Sequence, residues 1–195
     1  METKLQLLLD HVSKWVNLSP DEVAIFLQHW EVQEFQKGEY VLYNGKICQY
    51  DAFLLTGSVK GYYIDPVTAK EEIVFLAIAD WWASDLESFH QGSPSMLNIQ
   101  VVSDAELALI SKSNFESLMR MIPKLERYFR IILQGYTSAL LRRVYMRNAL
   151  PARERYLQFI GQYPALNQNL PQYLIASYLG MSAEMVSKIR AELKS

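Results

Sequence analysis

The chain has 195 residues, 50% of them hydrophobic and 12% aromatic, which suits a folded, soluble protein with room for two units of unequal size. One cysteine, Cys48, excludes an internal disulfide and any multi-cysteine metal or iron–sulfur site, and METKLQLLLDHV carries neither a signal peptide nor a membrane span, so a cytoplasmic protein without membrane contact is expected. The net charge of −2 is unevenly divided: residues 1–122 hold 8 Lys and Arg against 17 Asp and Glu, whereas residues 123–195 hold 11 against 4, a layout that points to nucleic acid at the basic C-terminal end only.

Two amphipathic helices open the chain, the first on Leu5, Leu8, Leu9 and Val12, the second on Val23, Ile25, Phe26, Leu27 and Trp30. Ser19 as N-cap, Pro20 at the first helical position and Glu22 at the third give the second helix a capping-box start. Short β-rich segments follow at 31–35, 40–43, 52–56, 59–64, 71–76, 98–102 and 106–110, punctuated by Gly38, Asn44-Gly45, Gly57, Asp65-Pro66 and Gly92. That rhythm predicts an antiparallel sandwich or barrel. His11, His29 and His90 are scattered, so a metal-dependent catalytic barrel is not expected and no metal, cofactor or enzymatic activity is assigned. Asp85 and Glu87 have no nucleophile or metal ligand beside them in the sequence and read as loop acids.

A short helix is predicted over 114–121, and Pro123 can open a longer one. Along it Leu125, Phe129, Ile132, Tyr136, Ala139 and Arg143 recur at alternating spacings of four and three, an a/d seam widened by Leu133, Leu140 and Val144. Such a stripe packs either on the same helix of a second copy, the reading preferred here, or on the β-domain of its own chain. The run RRVYMRNALPARER then gathers positive charge around Pro151, a hinge into a helix over 152–163. Arg147, Arg153 and Arg155 are candidate contacts to DNA phosphates, with pairing to acids of the β-domain the alternative for Arg155.

The stretch 171–193 reads as a helix-turn-helix. Ile175, Ala176 and Leu179 form an apolar face before Gly180, and Met181, Val186 and Ile189 form one after it. Ala176 allows close approach of the helices, Gly180 can take a positive φ in the turn, and Ser182 caps the second helix. The candidate DNA-contacting residues are Ser182, Ala183, Glu184, Ser187, Lys188 and Arg190. A generic pair of packed helices would show the same pattern, so the motif needs the charge division beside it.

KGEYVLYNGK, YDAFLLTGSVKGYYI and the basic C-terminal helix-turn-helix together resemble the Crp/Fnr family of bacterial transcription regulators, and the resemblance covers essentially the whole chain. It implies an α+β fold: a jelly-roll-like antiparallel β-roll flanked by helices (1–122), a dimerisation helix (123–149) and a DNA-binding domain (150–195). It further implies a homodimer on double-stranded DNA, with RNA polymerase a possible further partner for which no residue pattern gives a surface. In nucleotide-responsive members of the family a Gly-Glu pair holds the ribose and an Arg holds the cyclic phosphate. Aligned on Phe89 and Gly92, this chain has Ser84-Asp85 and Ser95 at those places, so response to cyclic AMP is not expected.

Phe75, Trp81, Trp82, Asp85, Phe89 and Ser95 either line a pocket for an unidentified small-molecule effector or fill an empty roll; a Trp pair is large enough to do the second. Two further departures concern DNA. Ala183 stands where many members carry a guanine-reading Arg, and the chain ends two residues past Leu193, so the wing is expected to be reduced or absent. The rival reading is a sensory or scaffold protein with a purely structural helix pair; buried Glu184 and Lys188, or an open polar pocket, would favour it.

Overall fold

The computed structural model describes residues 3–193. Helices α1 (Gln6–Ser13) and α2 (Pro20–Leu27) precede strands β1 (Glu31–Phe35), β2 (Tyr40–Leu42), β3 (Tyr50–Ile64) and β4 (Glu71–Ile78). Helix α3 (Leu86–Gln91) and strand β5 (Asn98–Ser111) complete the roll. The helical remainder is α4 (Lys112–Met121), α5 (Leu125–Ala149), α6 (Ala152–Gln162), α7 (Pro164–Asn169), α8 (Gln172–Tyr178) and α9 (Ala183–Glu192). The expected capping box is formed: Ser19 accepts from the Glu22 amide, and the Glu22 carboxylate accepts from the Ser19 amide at 2.6 Å.

The five strands form one antiparallel sheet in the order β1-β5-β3-β4, with β2 also paired to β5. The sequence divides β3 and β5 into four short strands; the structure makes each a single long one. Gly57 does not turn the chain. It sits at φ +78° among register shifts between Leu54 and Val59, and a Cβ there would stand 2.3 Å from the Asp104 carbonyl oxygen. Successive bulges bend a strand across the roll without ending its ladder, and the residues they select for also mark turns.

Because side chains alternate across a strand, the apolar run of β3 serves two cores. Ala52 and Leu54 point into the roll with Leu107, Phe89 and Ile99, while Phe53 and Leu55 face the outer layer of α1, α2, α4 and the start of α5. Tyr128 joins these layers. Its buried hydroxyl accepts from Trp82 Nε1 at 3.0 Å and lies 2.6 Å from His11 Nδ1, whose basicity is lowered by burial. Trp82 also packs on Phe53 and Phe129.

Asp51 is the buried acid of the roll. Desolvation pushes its pKa up to about 6, although Ser84 Oγ donates to it at 2.6 Å. Folded protein therefore holds this proton to higher pH than the unfolded chain, whose Asp titrates near the ordinary 3.8. The favourable difference is full below the unfolded value and is lost as pH rises through about 6. Urea unfolding should show an Asp51-dependent fall in stability of about 2–3 kcal/mol between pH 4 and 6.5. Asp51→Asn should remove that component; an identical slope in the variant would contradict the assignment.

No helix among the described residues is long and apolar enough to cross a membrane, and no group of three or more potential metal-ligating side chains occurs among them.

Candidate nucleic-acid interface

Helix α8 ends in a Schellman turn. The Gly180 amide donates to the Ser177 carbonyl at 2.9 Å, the Met181 amide donates to the Ala176 carbonyl at 2.8 Å, and Gly180 takes φ +65°. Two residues on, Ser182 Oγ accepts from the Met185 amide at 3.1 Å and caps α9. Val186 and Ile189 are buried against Leu174, Ile175 and Ala176, with Tyr156 and Phe159 of α6 and Leu166 of α7 completing the core. This packing fixes which side of α9 is free. Ser182, Ala183, Glu184, Ser187 and Lys188 are all exposed, and neither Glu184 nor Lys188 makes an ion pair or hydrogen bond among the described residues.

Arg190 differs from Glu184 and Lys188 in having a polar neighbour within the chain. It is half-buried, and with the Gln172 amide oxygen turned toward it, its Nε and Nη2 donate at 2.8 and 3.2 Å. This contact ties α9 to α8. Arg155 is also committed internally: Nη1 donates to the carbonyls of Arg147 (3.2 Å) and Leu150 (3.3 Å), neutralising the C-terminal end of α5. Arg153 is exposed on the first turn of α6. Arg147 is exposed too, but its Nε would lie 3.4 Å from a Cβ on Gly180, against the helix-turn-helix turn.

The helix pair is docked on the roll through contacts that no local sequence pattern announces. Ser177 Oγ accepts from the Ile73 amide at 3.2 Å and donates to the Glu71 carbonyl at 3.3 Å. Arg143 donates to the carbonyls of Ile73, at 2.8 Å, and Val74, and its guanidinium lies 4.1 Å over the Tyr178 ring. Trp81 meets Tyr163 edge to face at 5.7 Å. Arg143 is thus an intrachain strap between α5, β4 and α8.

The other residues of the expected seam fall in two different surroundings. Leu125 is fully buried on its own roll and Phe129 and Ile132 pack beside it, so the inner face of α5 belongs to its own chain. Ala139 is half-buried, and Tyr136 is exposed. The free stripe comprises Leu133, Tyr136, Leu140, Leu141, Val144 and Tyr145, each between 42% and 65% exposed. A patch of this size on a single helix exceeds what scattered surface residues explain.

The effector set is closed by its own side chains. Ser95 Oγ donates to Asp85 Oδ2 at 2.6 Å and accepts from the Leu97 amide at 2.9 Å, while Asp85 Oδ1 caps α3 by accepting from the Ser88 amide at 3.1 Å. Phe89 is buried in the roll, Phe75 packs beside it, and Trp81 and Trp82 are divided between different cores. The rings of Trp81, Trp82 and Phe89 pack within these cores.

No protein-family model and no curated protein matches the chain. Solved structures do. FixK2 from Bradyrhizobium japonicum superposes with a TM-score of 0.73 at 16% identity, over 85% of this chain and 84% of that one. CLP of Xanthomonas campestris, described as a c-di-GMP-responsive global regulator, gives 0.69 at 16% identity over 90% and 92%. The catabolite activator protein of Thermus thermophilus gives 0.54 at 20% identity over 91% and 84%. These structural neighbours include Crp/Fnr family regulators, and the chain has their fold: a β-roll, a long helix and a C-terminal helical domain.

Proposed function

We propose that the chain is a homodimeric, sequence-specific DNA-binding transcription regulator of Crp/Fnr type, cytoplasmic and unresponsive to cyclic AMP. The observation that carries this reading is the free N-terminal face of α9, where Glu184 and Lys188 stand exposed and unpaired over a fully buried helix-turn-helix core. A recognition helix presents those positions to the major groove. Glutamate accepts from cytosine N4, and lysine donates to guanine O6 and N7. Arg153 and the exposed Tyr173 on the first turn of α8 serve as phosphate contacts. Paired outer stripes of α5 hold two readers about one DNA turn apart.

Independence from cyclic AMP is supported by the Ser95–Asp85 bond. A cyclic phosphate there would meet a carboxylate where a cation is needed, and the serine hydroxyl is already engaged. The scaffold alternative loses its distinguishing marks, since Glu184 and Lys188 are exposed and the cassette is closed. Fluorescence anisotropy on labelled genomic duplexes tests both parts. Salt-dependent binding that cyclic AMP leaves unchanged is expected; no binding, or affinity raised by cyclic AMP, would overturn the corresponding part.

A further inference from the structure

The long helix and the helix pair do not close fully on each other. Between the C-terminal half of α5, α6 and the end of α8 lies an open crevice of about 450 Å³ including its mouth, of which about 30 Å³ admits the centre of a water molecule. Four arginines converge on it, Arg142, Arg143 and Arg147 from α5 and Arg155 from α6, beside the rings of Tyr163 and Tyr178. No Asp or Glu lines it.

The four differ in what they have left to give. Arg143 is bound to the carbonyls of β4 and Arg155 Nη1 to those of α5, but Arg155 Nε is buried with no partner. The side chains of Arg142 and Arg147 make no hydrogen bond or ion pair among the described residues. The charges also act on one another: burial lowers the basicity of Arg143, and Arg147 lowers it further. A crevice with one orphaned buried donor, two unused guanidinium forks and no carboxylate is built for an anion.

We propose that this crevice binds a phosphate-sized oxyanion, the phosphoryl head of a small effector, held by Arg142, Arg147 and Arg155 Nε. The enclosed depth suits the head group alone, with the remainder of such a molecule outside the mouth. Bound there, the anion bridges α5 and α6 across Pro151 and stiffens the hinge that carries the reader. This site is separate from the roll cassette. The binding does not depend on the DNA-reading proposal, so it is tested without DNA.

The probe is inorganic phosphate, titrated calorimetrically into the full-length protein at constant ionic strength set with sodium chloride. One saturable site per chain is expected, with affinity reduced at least about ten-fold in the double variant Arg142→Gln, Arg147→Gln, following the loss of two charge-assisted contacts. Neither side chain is paired, and removing two of four converging charges relieves repulsion, so without phosphate the variant should unfold at or above the wild-type urea midpoint. Arg147→Lys, which keeps the charge and loses the fork, should fall between. Absence of saturation in the wild type, or equal affinity in the double variant, overturns the site. A second arm adds labelled duplex DNA: if phosphate and DNA displace each other and both need Arg142 and Arg147, those arginines belong to the DNA backbone and the small-anion site is wrong.

Discussion

Glu184→Ala is expected to relax base preference at one position in each half-site and to cost about 1–3 kcal/mol on the sequence that the wild type prefers. The side chain is exposed on the first turn of α9, and its removal exposes no core, since Val186 and Ile189 do the packing. Stability should therefore hardly change, which separates a reading role from a structural one. Binding-site selection with both proteins measures it. The same logo from wild type and variant would show that Glu184 reads nothing. Lys188→Ala, one turn further along the same face, should relax a neighbouring position in the same way, whereas Arg153→Ala should weaken all sequences alike and flatten the salt dependence.

Leu140→Glu should dissociate the dimer. Leu140 lies in the middle of the outer stripe, 42% exposed, with Leu133, Tyr136 and Val144 on the same side of α5. Glutamate is as good a helix former as leucine, so the monomer should keep its helix content. Two carboxylates brought together in an apolar seam lose hydration and repel, which should raise the dimer dissociation constant about 100-fold or more, or roughly 3 kcal/mol. Sedimentation over a concentration series reads this directly. A dimer of unchanged affinity would place the subunit contact elsewhere.

The features legible in the sequence were those encoded within a few residues of one another. Ser19-Pro20 with Glu22, and Gly180 with Ser182, each specify their own local hydrogen bonds, and the structure forms them. The exposed face of α9 was legible too, because the spacing of Val186 and Ile189 settles which side is left over. Where one signal serves two outcomes, the reading slipped. Glycine and small polar residues mark both turns and bulges, so β3 and β5 were divided at Gly57 and near Ser103. An apolar stripe wide enough for two partners does not say which edge meets which: Leu125, Phe129 and Ile132 pack on the β-roll of their own chain, and the outer residues of the stripe are exposed.

The docking of the helical domain on β4 was not legible at all. Ser177 and Arg143 satisfy backbone groups roughly 70–100 residues distant, and nothing near either residue announces the partner. The intrachain partners of Arg190 and Arg155 are hidden for a related reason. A basic residue near a helix-turn-helix has the same local appearance whether it points to a phosphate, to Gln172 or to the last carbonyls of α5. Helix α7, only six residues from Pro164 to Asn169, was missed as well, its single buried apolar residue, Leu166, being too little to show a period.

Selection of duplexes from a random pool by the purified full-length protein tests the central claim most directly. The proposed dimer of two readers predicts a pseudo-palindrome whose half-sites are centred about one helical turn apart, with cytosine or guanine at the positions that Glu184 and Lys188 would face. Recovery of no enriched sequence, or of a single unrepeated half-site bound by monomer, would contradict the account.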